Sequence, residues 1–495
     1  MRPGGSRTRY RGRFGLWLTL ATVPAAAQVS QLTGQSLFYY QAANYAGNYL
    51  AAAGGVIYTD NVERTANGSG ETLLMLGLSG DTSRQGSRLD YHLAANVALL
   101  KYMSSTFPTR ATGYLDGLAA VKIMPGFFAW IARESYTQVQ INPYAPVTPE
   151  NLVSINYLTT GPRFTLRPTL RTSVTLDALY SYLNTSSASS QYSNFDNQRY
   201  GGDLHIDRAF SEAASLYLKG HYEKVEFRDQ ANYNNFSVGT ASAGYKLIDG
   251  RTVFDVSGGY SRLHVYDVLG TVAGPGGSRE TLTTETFDEP VWAVDISRLI
   301  TPNQRVALTA SQQFTDAASA FRLGFDQPVP TFAPPQLASG DAFKQREFGL
   351  DWRIQAARTS FDIGLLYLRQ RYLIVTANDY DLKIANALLG RQLSPVLTWH
   401  VGVGYQRTEQ AGTQSPSVIA QSSKLLGALT DLNWQVGERL ALRFIYAYTR
   451  QSGTGTYSDN QISLIASWAL VGAQAPVMQS APALSPFSPA STRSP

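Results

Sequence analysis

The feature that most constrains this chain is a period of two. Apolar and polar residues alternate through long segments, as in a strand with one face in an apolar medium and the other near water. In residues 169–184, Leu170, Thr172, Val174, Leu176, Ala178, Tyr180 and Tyr182 share one face; Arg171, Ser173, Thr175, Asp177 and Ser181 share the other. Phe348, Leu350, Trp352 and Ile354 alternate with Glu347, Gly349, Asp351 and Arg353. Leu397, Trp399, Val401, Val403 and Tyr405 alternate with Thr398, His400, Gly402, Gly404 and Gln406. Leu440, Leu442, Phe444, Tyr446 and Tyr448 do so with Ala441, Arg443, Ile445, Ala447 and Thr449.

A soluble β-sandwich also alternates, but its strands average about 5–6 residues. The segment 169–184 has 16 residues, long enough for a tilted strand to cross a bilayer and extend beyond it, which takes about 9–11 residues for the crossing. Aromatics also gather at the ends of the apolar faces, where an interfacial girdle would stand: Tyr180, Tyr182, Trp399, Tyr405, Tyr446, Tyr448 and Trp468. The connections alternate between short and long. Short turns are expected near Arg84, Pro125, Arg167, Phe210, Asp249, Pro302, Ala357, Ser394 and Gly437. Longer connections lie between them, among them 184–198, 267–289, 316–342 and 408–422. This is the rhythm of short periplasmic turns and long extracellular loops. The reading is an all-β, transmembrane, antiparallel up-and-down β-barrel of about 16–20 strands, best counted as 20.

The remaining features agree. Charged residues make up 16% of the chain, below the roughly 25% of ordinary soluble domains. The first 27 residues carry Arg2, Arg7, Arg9, Arg11 and Arg13 and no acid, so removing them from the net charge of +5 leaves a neutral remainder. Nucleic acid is therefore not an expected partner. Those residues read as a signal peptide: an arginine-rich start, an apolar run at 14–23, then Ala25-Ala26-Ala27, with cleavage between Ala27 and Gln28. Residues 28–54 are expected to be a flexible or lumen-associated segment, 55–470 the barrel, and 471–495 a disordered Ala/Pro/Ser-rich tail. The expected location is the Gram-negative outer membrane, with lipid, lipopolysaccharide and the barrel-assembly machinery as partners.

Tyr58-Thr59-Asp60-Asn61-Val62, the run 73–78, and turns such as Leu299-Ile300-Thr301-Pro302 and Gln392-Leu393-Ser394-Pro395 carry a family likeness. Over most of 55–470 the chain resembles outer-membrane β-barrel porins associated with exopolysaccharide and PEP-CTERM (exosortase) systems. The resemblance implies a fold and a location, and names a polysaccharide as a candidate cargo.

If the apolar face meets lipid, charge must point inward, because Arg or Lys on the lipid face costs about 2–4 kcal/mol at the midplane. Arg171, Asp177, Asp203, His205, Asp207, Lys219, His221, Glu223, Asp351, Arg353, Asp362, Asp431 and Arg443 are then candidate pore-lining residues. They could filter solutes, or only stiffen the wall through cross-strand ion pairs. His205 is expected opposite residue 217, too far from His221 for a shared metal, so no metal or other cofactor is expected. No serine, histidine or acid spacing has motif strength, and no catalytic residue is expected. The leading functional expectation is a porin-like channel for small solutes or an exported polysaccharide. The alternative is a non-conducting structural or surface-binding barrel acting through its long loops, and an outer-membrane enzyme ranks third. A TonB-dependent transporter is disfavoured, because no plug of domain size precedes the strands.

Overall fold

The computed structural model describes residues 49–187, 195–230, 232–274, 277–317, 340–411 and 421–472. The signal peptide with its Ala27/Gln28 junction, residues 28–48 and residues 473–495 lie outside them. In chain order the strands are β1 (Tyr49–Thr59), β2 (Glu71–Gln85), β3 (Leu89–Tyr102), β4 (Arg110–Met124), β5 (Phe128–Gln140), β6 (Leu152–Thr169) and β7 (Thr172–Ser187). Next come β8 (Asn197–Ala209), β9 (Ala214–Phe227), β10 (Phe236–Asp249), β11 (Thr252–Gly274), β12 (Gly277–Thr301) and β13 (Gln304–Thr315). The last are β14 (Phe343–Gln355), β15 (Thr359–Tyr372), β16 (Tyr380–Ser394), β17 (Leu397–Gln410), β18 (Ser422–Gln435), β19 (Leu440–Gly453) and β20 (Tyr457–Gly472). Each pairs antiparallel with the next, and β1 also pairs with β20, closing a 20-stranded ring. Closure removes both sheet edges, so the wall satisfies its own backbone polar groups, the condition for a sheet to sit in lipid.

The first strand begins at Tyr49, ahead of the expected residue 55, and the last runs to Gly472. Residues 51–55 are Ala-Ala-Ala-Gly-Gly. They carry no alternation to read, yet their backbone completes ladders to both β2 and β20.

Four of the short turns follow a register shift: Lys122/Met124, Leu166/Thr169, Leu299/Thr301 and Gln392/Ser394. The motifs expected as turns are thus partly bulges. At Leu166-Arg167-Pro168-Thr169 the bulge takes Pro168, whose missing N–H costs nothing where the ladder is already broken. The turn itself falls one step later, at Leu170 and Arg171. Arg171 is therefore corrected from pore wall to exposed turn.

The two faces differ sharply. Outward lie Leu76, Leu78, Leu218, Val403, Phe444 and Leu464, all exposed. Trp130, Trp352, Trp399, Trp434 and Trp468 stand on this outer face near the short-turn rim. Tyr180, Tyr182, Tyr405, Tyr446 and Tyr448 stand on it toward the long-loop rim. Between the two rims runs an apolar belt, and this is the surface of a bilayer-spanning barrel. Val403→Arg, at mid-belt, is expected to lower folding stability by about 2–4 kcal/mol; denaturant titration of folding into vesicles measures it.

Candidate functional site

Twenty strands enclose a lumen too wide for wall side chains alone to fill. The inward faces divide it into two halves. Charge gathers in the half nearest the short turns, where several cross-strand partners carry opposite signs, although Asp177 faces Asp203, Asp255 faces Asp295 and Arg305 faces Arg353. Arg163 meets Asp177 at 2.7 Å and Arg353 meets Asp362 at 2.6 Å, each directly opposite in register. Asp431 takes Arg443 at 2.9 Å and His400 at 3.0 Å, and Arg133 takes Asp116 at 2.9 Å. His221 lies 2.6 Å from Asp203, while His205 faces Lys219 rather than residue 217. The shift of two arises because the turn occupies 210–213 and is centred later than expected. Asp207 accepts from the Ser215 hydroxyl at 3.0 Å, and Asp351 lies on the same face as Arg353. Apart from Arg171, every charged residue expected on the lumen side thus points there. Most of this charge is neutralised along the wall. A buried pair loses far more when one partner is removed than when both are replaced, so these pairs hold the register of the wall.

The half toward the long loops holds apolar and aromatic clusters beside buried charges such as Arg199, Glu223 and Asp459. Val153, Ile155, Tyr157, Leu183, Val225, Phe227, Phe236, Val238, Leu263 and Val265 form one buried cluster, with Phe314, Ala342 and Leu373 packed into it. A second cluster joins Tyr144 to Phe343, Leu368, Tyr372, Tyr380 and Leu382. Neither is a wall feature only. Tyr144 belongs to the β5–β6 connection, and β15 lies half-way around the ring from β5. The connection 141–151 therefore crosses the mouth from one side to the other.

The crossing segment is built to be stiff. It carries Pro143, Pro146 and Pro149, each fixing one backbone angle. Asn151 clamps its base: its amide donates to the carbonyls of Asn142 at 3.0 Å and Pro146 at 2.9 Å, and its side-chain oxygen accepts from the Asn142 amide at 2.8 Å. The far side is anchored on other walls. Gln451 of β19 donates to the Tyr144 carbonyl at 2.8 Å, and Arg64 of the β1–β2 loop donates to the Val147 carbonyl at 2.8 Å. Arg64 is buried and also bonds Asp459 of β20 at 3.3 Å. Burial, aided by Asp379 and Asp381, pushes the Tyr144 phenol above its ordinary range and keeps it neutral. A cleft of about 770 Å³ lies beside the crossing, lined by Glu63, Arg64, Asn142, Pro146, Glu150 and Gly455.

A second contact bridges the mouth. Arg199 of β8, fully buried, donates to Asp316 at 2.5 and 3.1 Å and to Glu223 of β9 at 3.3 Å. Four strands separate β8 from β13, after which Asp316 comes; along the wall that is on the order of 24 Å. The pair forms only because the chain turns inward after Thr315. Sequence reasoning placed Glu223 in the lumen but missed Arg199, Asp316, Arg64 and the crossing segment. The three prolines in 142–149 signal a stiff connection, though nothing local says that it points inward.

No family model matches this chain, and no curated protein sequence does either. Among solved structures it is similar to the ferric yersiniabactin uptake receptor FyuA from Yersinia pestis, at 10% identity over 86% of this chain and 81% of that one, with a TM-score of 0.42. It is also similar to the FrpB iron transporter from Neisseria meningitidis in its F5-1 apoprotein form, at 9% identity over 86% and 81%, with a TM-score of 0.46. The unliganded ferric citrate transporter FecA matches at 8% identity over 86% and 79%, with a TM-score of 0.45. These likenesses are of barrel build and carry no argument beyond the strand pairing described above.

Arg199→Ala leaves two buried carboxylates without their cation and is expected to destabilise the long-loop end by about 3–5 kcal/mol. Replacing Arg199, Glu223 and Asp316 together by apolar residues of similar size is expected to recover most of that. Chemical denaturation, with hydrogen exchange to place the loss, distinguishes the two.

Proposed function

We propose that this chain is a channel of the Gram-negative outer membrane whose long-loop mouth is gated by the segment 141–151. The observation that carries the reading is the crossing itself: one connection, anchored through Tyr144, Gln451 and Arg64 to three separate parts of the wall. A stiff strut rooted between two adjacent strands can swing as one body on β5 and β6. In this reading the paired charges of the short-turn half form a polar conduit, and the apolar, aromatic half is the selective entrance. Small solutes are the proposed cargo. A saccharide chain, the cargo that the family resemblance names, is the narrower version. The role is passage rather than catalysis.

The second reading is a non-conducting barrel that works through its outer loops, and the Arg199–Asp316 bridge favours it because it shuts part of the same mouth. Planar-bilayer recording separates the two. Wild-type protein is expected to conduct weakly or in brief openings. Tyr144→Ala and Arg64→Ala, which release two of the anchors, are expected to raise unit conductance or open time several-fold. Wild type and both variants all silent would exclude the channel and leave the second reading.

A further inference from the structure

The outer face just above the tyrosine rim is not uniform. Elsewhere on the ring some of its charges pair off: Arg262 meets Asp288 at 2.7 Å, and Lys224 meets Glu226 at 2.6 Å. On β16, β17 and β18 they do not. Lys383, Arg407 and Lys424 stand directly opposite one another in register, three cations in one row across three strands. Like charges placed directly opposite destabilise a sheet. One carboxylate, Glu409, serves two of them: Lys383 at 3.5 Å and Arg407 in a close pair. The Arg407 Nε is enclosed and has no hydrogen-bond partner among the described residues. Lys424 is exposed and makes no ion pair among the described residues, and the loop that joins β17 to β18, residues 411–421, contains no acid in its sequence. The neighbouring Asp381 is already held by Arg371 at 2.7 Å and Arg369 at 3.4 Å. The row therefore carries a surplus of positive charge with donors pointing outward.

Its height identifies the missing anion. One step toward the belt, the same strands present Tyr405 and Leu426, both exposed on the apolar face. The cations thus sit at the boundary where lipid headgroups meet acyl chains. We propose that Lys383, Arg407 and Lys424 form a docking site for the phosphates of a lipid headgroup in the leaflet at the long-loop rim, with the acyl chains lying on the apolar face below. Two strand spacings, on the order of 10 Å, separate the outer cations, a span that suits a headgroup bearing two phosphates. The proposal rests on the bilayer-spanning reading and is independent of whether the barrel conducts.

The test uses the full chain purified in a neutral detergent, with diphosphoryl lipid A as probe and native mass spectrometry as readout. Wild type is expected to retain the diphosphoryl lipid and to discriminate against the same lipid with its phosphates removed. K383Q/R407Q/K424Q is expected to bind it between about tenfold and a hundredfold more weakly. R262Q, on β11 five strands from the nearest cation of the row, should bind as wild type does. Lys424→Gln alone, at an exposed residue without an ion pair, should lose part of the affinity at unchanged thermal stability, which keeps the test valid if the triple variant folds poorly. Inorganic phosphate in excess should not displace the lipid. Equal retention by wild type and Lys424→Gln, or equal binding of the phosphate-free lipid, would overturn the site. Protein that fails to insert into vesicles at all would overturn the bilayer reading with it, whereas one that inserts but shows no phosphate preference would overturn only the site.

Discussion

Everything in this molecule depends on the pairing of β1 with β20. In lipid no water is present to bond the exposed N–H and C=O groups of an edge strand, and each unsatisfied group costs several kcal/mol. A twenty-stranded sheet therefore either closes or stays out of the membrane. The closing ladder runs the full length of β1 against residues 461–472 of β20, with a single irregularity at Leu50/Ala51. Side chains reinforce it at the long-loop rim: Asn460 donates to Asp60 through its backbone at 2.8 Å and through its side chain at 2.7 Å, and Asn61 donates to the Ser458 carbonyl at 2.8 Å. Alanines and glycines fill much of β1, so this strand contributes backbone more than side-chain bulk to the closure.

Once the ring exists, its interior poses a second problem, since a lumen this wide needs water or protein inside it. The chain uses both kinds of surface. Near the short turns the wall is polar and many of its charges are paired, so it tolerates water at little cost. Near the long loops it is lined with aliphatic and aromatic residues, which are stable only when covered. The segment 141–151 and the described ends of the β13–β14 connection, residues 316–317 and 340–342, supply the cover. The apolar lining and the inward loops therefore depend on each other: without the crossing, Tyr372, Tyr380 and Leu382 would face solvent.

Much of the wall was legible in the sequence, because membrane strands obey one strong rule. Lipid outside and lumen inside force a period of two, and that period placed Asp177, Asp203, Asp431 and Arg443 on the inner face and Trp399 and Trp468 on the outer one. Loop length located the nine short connections and with them the strand number. What resisted was of two kinds. Where residues are small, as in 51–55, there is no amplitude for a period to modulate, and β1 was read too late. Where position depends on partners far along the chain, no local signal exists. Arg199 and Asp316 are separated by 117 residues, and only the assembled ring brings them together. Arg171 shows a milder failure: it has the correct parity, but a bulge at Pro168 carries it past the end of the wall.

The position of Arg64 imposes an order of events. Its guanidinium bonds Asp459, on the strand that completes the ring, and Val147, on the segment that crosses the mouth. Contacts of such long separation form late, because the entropy of bringing the two ends of the chain together must be overcome first. An unfinished barrel, open at the β1–β20 seam, has no fixed place for Arg64 and so cannot lock the strut. The Arg64 anchor thus forms only after the first and last strands have met, so its bond to the crossing segment becomes a record that assembly is complete.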